Sequence, residues 1–171
     1  AITNITYTIG GGGTGATAAG LPSGVTGSYA AGVFTISGTA TATGPFNYTV
    51  TTTGTCTQTT ANGSITVNPD ATIALSSAPG TDAQSLCVST AITNITYTIG
   101  GGGTGATVTG LPAGVTGSFA AGAFTISGTP TATGPFNYTV TTTGTCVQTT
   151  ANGSITVNPN GTIALSLSLI H

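Results

Sequence analysis

Apolar and polar residues alternate along much of this chain with a period of two. In one stretch Phe136, Tyr138 and Val140 fall on one side, and Asn137, Thr139 and Thr141 on the other. That is the mark of a strand with one buried face. Phe124 and Ile126 alternate in the same way against Thr125 and Ser127. An LPxGV turn precedes the pair, and a Pro/Gly-marked turn separates its members. The pattern predicts two core strands of a β-sandwich, joined by a hairpin-like connection. The whole stretch, 111–140, also occurs ninety residues earlier at 21–50, almost unchanged.

The remaining pattern supplies neighbours for these strands. ITNITYTIG (2–10) predicts a strand with Ile5, Tyr7 and Ile9 on one face. GGGGTGAT follows as a flexible loop, and a short strand is expected near 27–30. ANGSITVNP (61–69) closes a domain with Ile65 and Val67 facing in, and Pro69 marks its boundary. Beyond it, ATIALSS and SLCVS predict two further strands with a Pro-Gly turn between them. No segment has helical periodicity, and no run of eighteen apolar residues offers a membrane span.

The motif LPxGV…FTISGTPTATGPFNYTVTTTG resembles the immunoglobulin-like and PKD-like repeats of bacterial surface proteins. It is most similar to the Thr/Gly-rich repeats of very long secreted proteins of the Bacteroidetes. The resemblance covers nearly the whole chain, because both copies of the motif carry it. It implies an all-β fold of tandem Ig-like β-sandwich domains in a 90-residue repeat. It also implies an extracellular location at the bacterial cell surface, in stalks, adhesins and fibres, and no catalytic site.

Repetition sets the domain organisation. Residues 1–76 align with 91–166 without a gap. They differ at nine pairs: Ala18/Val108, Ala19/Thr109, Ser23/Ala113, Tyr29/Phe119, Val33/Ala123, Ala40/Pro130, Thr57/Val147, Asp70/Asn160 and Ala71/Gly161. A first domain, 1–69, is expected to lack its opening strands. A second, 70–159, is complete, and 160–171 is a spare strand equivalent to the opening strand of a further repeat. Its residues Thr162, Ile163, Ala164, Leu165, Leu167 and Leu169 are candidates to complete the first domain of another copy. Such donation is a head-to-tail contact that generates open filaments. The alternative is a segment of a longer polypeptide, cut out of phase with its fold.

Charge removes several functions. The 171 residues include no Lys or Arg, two acids and one His. Nucleic acids and anionic membrane surfaces need cations that this chain lacks. The fold must rest on apolar burial, backbone ladders and hydroxyl hydrogen bonds. Little repulsion separates molecules, which favours association. The expected partners are therefore copies of itself or further repeats, with surface glycans as a further possibility.

Candidate chemistry is sparse. Gly10, Gly12 and Gly15 match GxGxxG, as do Gly100, Gly102 and Gly105, but no helix and no acid follow at the required places. General acid–base catalysis has only Asp70, Asp82, His171 and five tyrosines to draw on. Asn68, Asp70 and Asp82 are too few carboxylates for a calcium clamp. No enzyme, cofactor or metal is expected. Cys56 and Cys146 are equivalents, and the equivalent of Cys87 would precede Ala1. A disulfide between Cys87 and Cys146 is expected, contributing about 4 kcal/mol by chain entropy and leaving Cys56 without its partner. A bond between Cys56 and Cys87, or three thiols, are the alternatives. Seven Asn-x-Ser/Thr sequons occur, at Asn4, Asn47, Asn62, Asn94, Asn137, Asn152 and Asn160. Asn47 and Asn137 lie on the predicted outward face and are candidate glycosylation sites. The TVTTTGT strands offer hydroxyls to a glycan or to ice, which defines a competing binding-module class.

Overall fold

The computed structural model describes residues 1–165. It divides into two units, Ala1–Pro69 and Asp70–His171. The first contains β1 (Ile5–Thr8), β2 (Gly13–Ala19), β3 (Val25–Ala30), β4 (Val33–Gly38), β5 (Gly44–Gly54) and β6 (Thr60–Val67). The second opens with β7 (Ala71–Leu75) and β8 (Ala83–Cys87). It then repeats the first unit's order as β9 (Ile95–Gly101), β10 (Gly103–Thr109), β11 (Val115–Ala120), β12 (Ala123–Gly128), β13 (Gly134–Gly144) and β14 (Thr150–Asn158).

Each unit is a two-sheet sandwich. In the second unit the sheets run β11-β12-β9-β7 and β10-β13-β14-β8. All pairs are antiparallel except β8 with β14, which is parallel. In the first unit they run β1-β4-β3 and β2-β5-β6. The second core joins Ile95, Tyr97, Phe124 and Ile126 from one sheet to Tyr138, Val140, Ile155 and Val157 from the other. The first core is built from Val25, Phe34, Ile36, Tyr48, Val50 and Ile65. Alternation places these side chains inward, and the resulting burial drives the sheets together.

Two expectations about connections are corrected. The strands holding FTISGT and PFNYTV, β4 with β5 and β12 with β13, do not form a hairpin: they lie in opposite sheets. Alternation shows which face is buried, but not whether the next strand lies beside that face or opposite it. Here the segment between β4 and β5 crosses the core, held to the LPSGV turn by Thr39 N–H to the Gly24 carbonyl (3.1 Å) and Thr41 N–H to that of Ser23 (2.9 Å). The hairpins with two-residue turns are β3–β4 and β11–β12, while β5–β6 and β13–β14 are hairpins with longer connections. The central residues of the two-residue turns have positive φ, Ala31 at 48° with Gly32 at 83°, and Ala121 at 50° with Gly122 at 79°, as a type I′ turn requires.

The glycine-rich segment is also not a loop throughout. Gly13 and Gly15 belong to β2, which pairs with β5. A Cβ on Gly15 would lie 2.8 Å from Thr53 Oγ1. These glycines admit close approach between strands rather than slack.

Candidate functional site

The two units hold the same sequence in different surroundings. In the second, β9 lies between β12 and β7, and β14 between β13 and β8. In the first, β1 pairs only with β4, and β6 only with β5. Two strands that are internal in one copy are therefore edges in the other. An edge presents unpaired backbone donors and acceptors to any strand that can reach it. Neither edge carries the Lys that blunts such surfaces, because the chain contains none.

The uncovered edges loosen the first core. Ile73, Leu75, Leu86 and Val88, on or beside β7 and β8, pack against the second core. Beneath them Ile95 is 0%, Tyr97 2% and Val157 2% exposed. The counterparts Ile5, Tyr7 and Val67 are only half-buried.

Two cavities in the first unit lie where β7 and β8 would begin. One, of about 230 Å³, is lined by the glycines at 10–13 with Cys56 and Gln58. In the second unit Asp70 and Ala71 occupy the equivalent place. There Gly102 N–H donates to the Asp70 carbonyl (3.1 Å), and Ala71 N–H to that of Val147 (3.0 Å). Val147 N–H donates to Asp70 Oδ1 (3.3 Å), and the Thr149 hydroxyl to the Ala71 carbonyl (3.2 Å). The other cavity, of about 360 Å³, is lined by Asn47, Tyr48, Thr49, Asn62, Gly63 and Ser64. In the second unit the Asp82 carbonyl sits at the corresponding position, accepting from Ser154 N–H (2.8 Å).

A tyrosine pair joins the two sheets beside that second cavity. Tyr7 and Tyr48 hydroxyls are 2.9 Å apart, and those of Tyr97 and Tyr138 are 3.0 Å apart. Tyr138 donates onward to the Asp82 carbonyl (3.3 Å), so Tyr97 donates to Tyr138. Each core tyrosine lies across from a glycine, Tyr48 from Gly63 and Tyr138 from Gly153. A Cβ on either glycine would collide with the phenol. Burial pushes the Tyr48 phenol up to about 12, aided by the hydrogen bond it can donate to Tyr7 and by the charge of Tyr7 when ionised. Burial also raises Tyr138, and the charges of Tyr97 when ionised and of Asp82 add to the effect. The alternating pattern placed these tyrosines in the core, but it carried no sign that their hydroxyls meet. The glycine opposite each tyrosine was the one available signal.

The structure separates Cys87 from Cys146 and corrects the disulfide: both are thiols. Cys87 pairs with Asn158 at the end of β14. Cys146 lies in the connection that precedes β14, next to Val147 at the start of β7. The nine residues from Thr150 to Asn158 set the two ends about 26 Å apart, and a disulfide tolerates Cα separations up to about 7 Å. Cys56 is an exposed thiol beside the first cavity. Asn47 and Asn137 are exposed. The threonines of β5 and β13 do not make a uniform open array. Thr49 and Thr139 donate to Asn62 and Asn152 Oδ1 (2.7 and 2.8 Å), and Thr142 is buried and bonds Gln148 (2.9 Å). Thr162, Ile163, Ala164 and Leu165 form no regular structure, with Ile163 100% and Leu165 90% exposed. Leu167, Leu169 and His171 lie outside the described residues. Among the described residues, no group of three or more His, Cys, Asp or Glu could hold a metal. No helix among them is long and apolar enough to cross a membrane.

No protein-family model matches the sequence, and no curated protein matches it. The fold does have solved neighbours. The I-band fragment I67-I69 of titin superposes with a TM-score of 0.71 at 11% identity, over 92% of this chain and 60% of that one. An E-to-A variant of the same three-Ig fragment gives 0.69 at 12% identity, with the same coverage. The chain thus spans 60% of the length of each titin fragment. At this identity the likeness establishes the fold alone, an Ig-like β-sandwich.

Proposed function

We propose that this chain is a non-catalytic structural repeat module of an extracellular bacterial surface fibre or adhesin stalk. It joins head-to-tail to copies of itself, or to further repeats, by β-strand donation. The observation that carries the reading is the pair of uncovered edges, β1 and β6, on a unit whose near-identical copy has both edges covered. The Ig-like fold supports a structural repeat role, and the resemblance to secreted bacterial repeats supports the location. An all but uncharged surface opposes association very little.

Electron microscopy of the full chain, beside a version lacking residues 161–171, tests the proposal. Filaments with a two-unit repeat are expected from the full chain and not from the truncated one. Dispersed monomers from both, with measurable affinity in a glycan or ice-binding screen, would replace the fibre module with a binding module.

A further inference from the structure

The structure points to a defined occupant for the groove along β1. We infer that residues 160–165 of a second copy fill it, in the register that β7 takes on β9. This deepens the head-to-tail reading above and rests on it.

The second unit supplies the template. There β7 pairs with β9 as Ala71↔Gly101, Thr72↔Gly100, Ile73↔Ile99, Ala74↔Thr98 and Leu75↔Tyr97. Every acceptor residue in that register recurs ninety positions earlier as Gly11, Gly10, Ile9, Thr8 and Tyr7. Every donor residue from Thr72 to Leu75 recurs ninety positions later as Thr162, Ile163, Ala164 and Leu165. In the inferred junction Ile163 faces Ile9 and Leu165 faces Tyr7. Both donor side chains are exposed in the structure, and both acceptors are half-buried. The contact buries on each side the apolar surface left uncovered on the other.

The glycines carry the argument further. In the second unit a Cβ on Gly101 would strike the Asp70 carbonyl, and one on Gly100 would lie 2.9 Å from Thr72 Oγ1. Gly101 must be glycine for β7 to approach, while a side chain at Gly100 would have to displace the Thr72 hydroxyl. In the first unit a Cβ at Gly10 or Gly11 would meet nothing within 4 Å. Gly11 keeps the positive φ of Gly101, 61° against 60°, so the acceptor backbone is already set. At Gly10, whose φ is not positive, the missing side chain serves only a neighbour's approach. That neighbour is absent from the first unit as it stands.

The cavity of about 230 Å³ receives the start of the donor. In place of Asp70, Asn160 still offers an Oδ1 acceptor, here to the N–H of Thr57. Its carbonyl accepts from Gly12 N–H. In place of the buried Ala71, Gly161 lacks one methyl, so the fit is looser at that point. Residues 160–165 follow β7 alone and leave the larger cavity, at the β8 position, unfilled.

Cysteine trapping tests occupant and register together. All three native cysteines are replaced by Ser, and Thr8→Cys and Ala164→Cys are made in separate full-length chains. Both positions correspond to exposed, outward-facing residues, Thr98 and Ala74, so neither change touches the core. Paired strands hold such Cα atoms within disulfide reach. Mixed under a glutathione redox buffer, the two chains are expected to form a covalent one-to-one dimer. Each alone, and Ala164→Cys mixed with Thr6→Cys, is expected to give at least tenfold less. Adding Ile163→Asp and Leu165→Asp to the Ala164→Cys chain should abolish the dimer.

Filaments seen by microscopy without the Thr8–Ala164 dimer would overturn the register while leaving the fibre reading intact. A dimer trapped equally by Thr6→Cys would do the same. A chain carrying both Thr8→Cys and Ala164→Cys that closes only on itself, as a fast-migrating monomer, would overturn the second copy as occupant. Association of the 1–171 chain that disappears when a preceding repeat is fused to Ala1 would identify that repeat, and not a second copy, as the natural occupant.

Discussion

Each unit's core turns on a tyrosine whose ring lies over a glycine and whose hydroxyl meets a second tyrosine from the opposite sheet. The pairing satisfies a polar group that would otherwise be costly to bury. It also gives stability a pH dependence that the side-chain charges alone would not. The Tyr48 phenol stands near 12 in the folded chain against 10.0 for an ordinary tyrosine. Below pH 10 both folded and unfolded states keep it neutral, and its contribution is fully present. Between pH 10 and 12 the unfolded state ionises first, so stability falls as pH rises through that window. Tyr138 and Tyr97 are shifted in the same direction. Urea midpoints are expected to be flat from about pH 5 to 9 and to fall steadily above 10. Replacing both core tyrosines, Tyr48→Phe with Tyr138→Phe, should flatten the alkaline limb. A midpoint that stays level to pH 12 in the native chain would contradict the assignment. At this scale the sequence was partly legible. Period-two alternation placed Tyr48 and Tyr138 inward, but it says nothing about which group a hydroxyl finds across the core.

At the scale of elements, the strands were easier to foresee than their connections. The apolar faces of β4, β5, β12 and β13 followed from alternation. The step from β4 to β5 did not, because a Pro/Gly-marked turn suits either a hairpin or a crossing between sheets. The hairpins with two-residue turns bend on Ala-Gly, a pair without the usual Asn or Asp signal. Ala31 and Ala121 accept the left-handed conformation at 48° and 50°, which costs an L-residue roughly 1 kcal/mol. Asn tolerates that region better. Ala121→Asn is therefore expected to stabilise the second unit by about 0.5–1 kcal/mol, seen as a higher urea midpoint with an unchanged slope. A lower midpoint would mean that the turn depends on the alanine methyl. The glycine-rich segment misled for a related reason: glycine signals flexibility in isolation, while Gly13 and Gly15 serve close packing within a paired strand.

For the whole molecule, the offset between repeat and fold was legible because TIAL recurs verbatim after the last complete repeat. The disulfide was misjudged because sequence spacing does not reveal at which end of a ladder a residue lies. The two units also make a controlled comparison, with near-identical cores and unequal cover. Half-burying Ile73, Leu75, Leu86 and Val88 contributes on the order of 3–6 kcal/mol. Calorimetry of dilute, unassociated chain should therefore resolve two transitions, the first unit melting below the second. A single coincident transition would mean that the cover contributes little. The parallel pairing of β8 with β14, in register from Ser154↔Ala83 to Asn158↔Cys87, has a mechanical consequence. The chain enters the second unit on β7 and leaves from the far end of β14. Tension between those points loads the β7–β9 and β8–β14 ladders along their length, so their bonds must fail together rather than one by one.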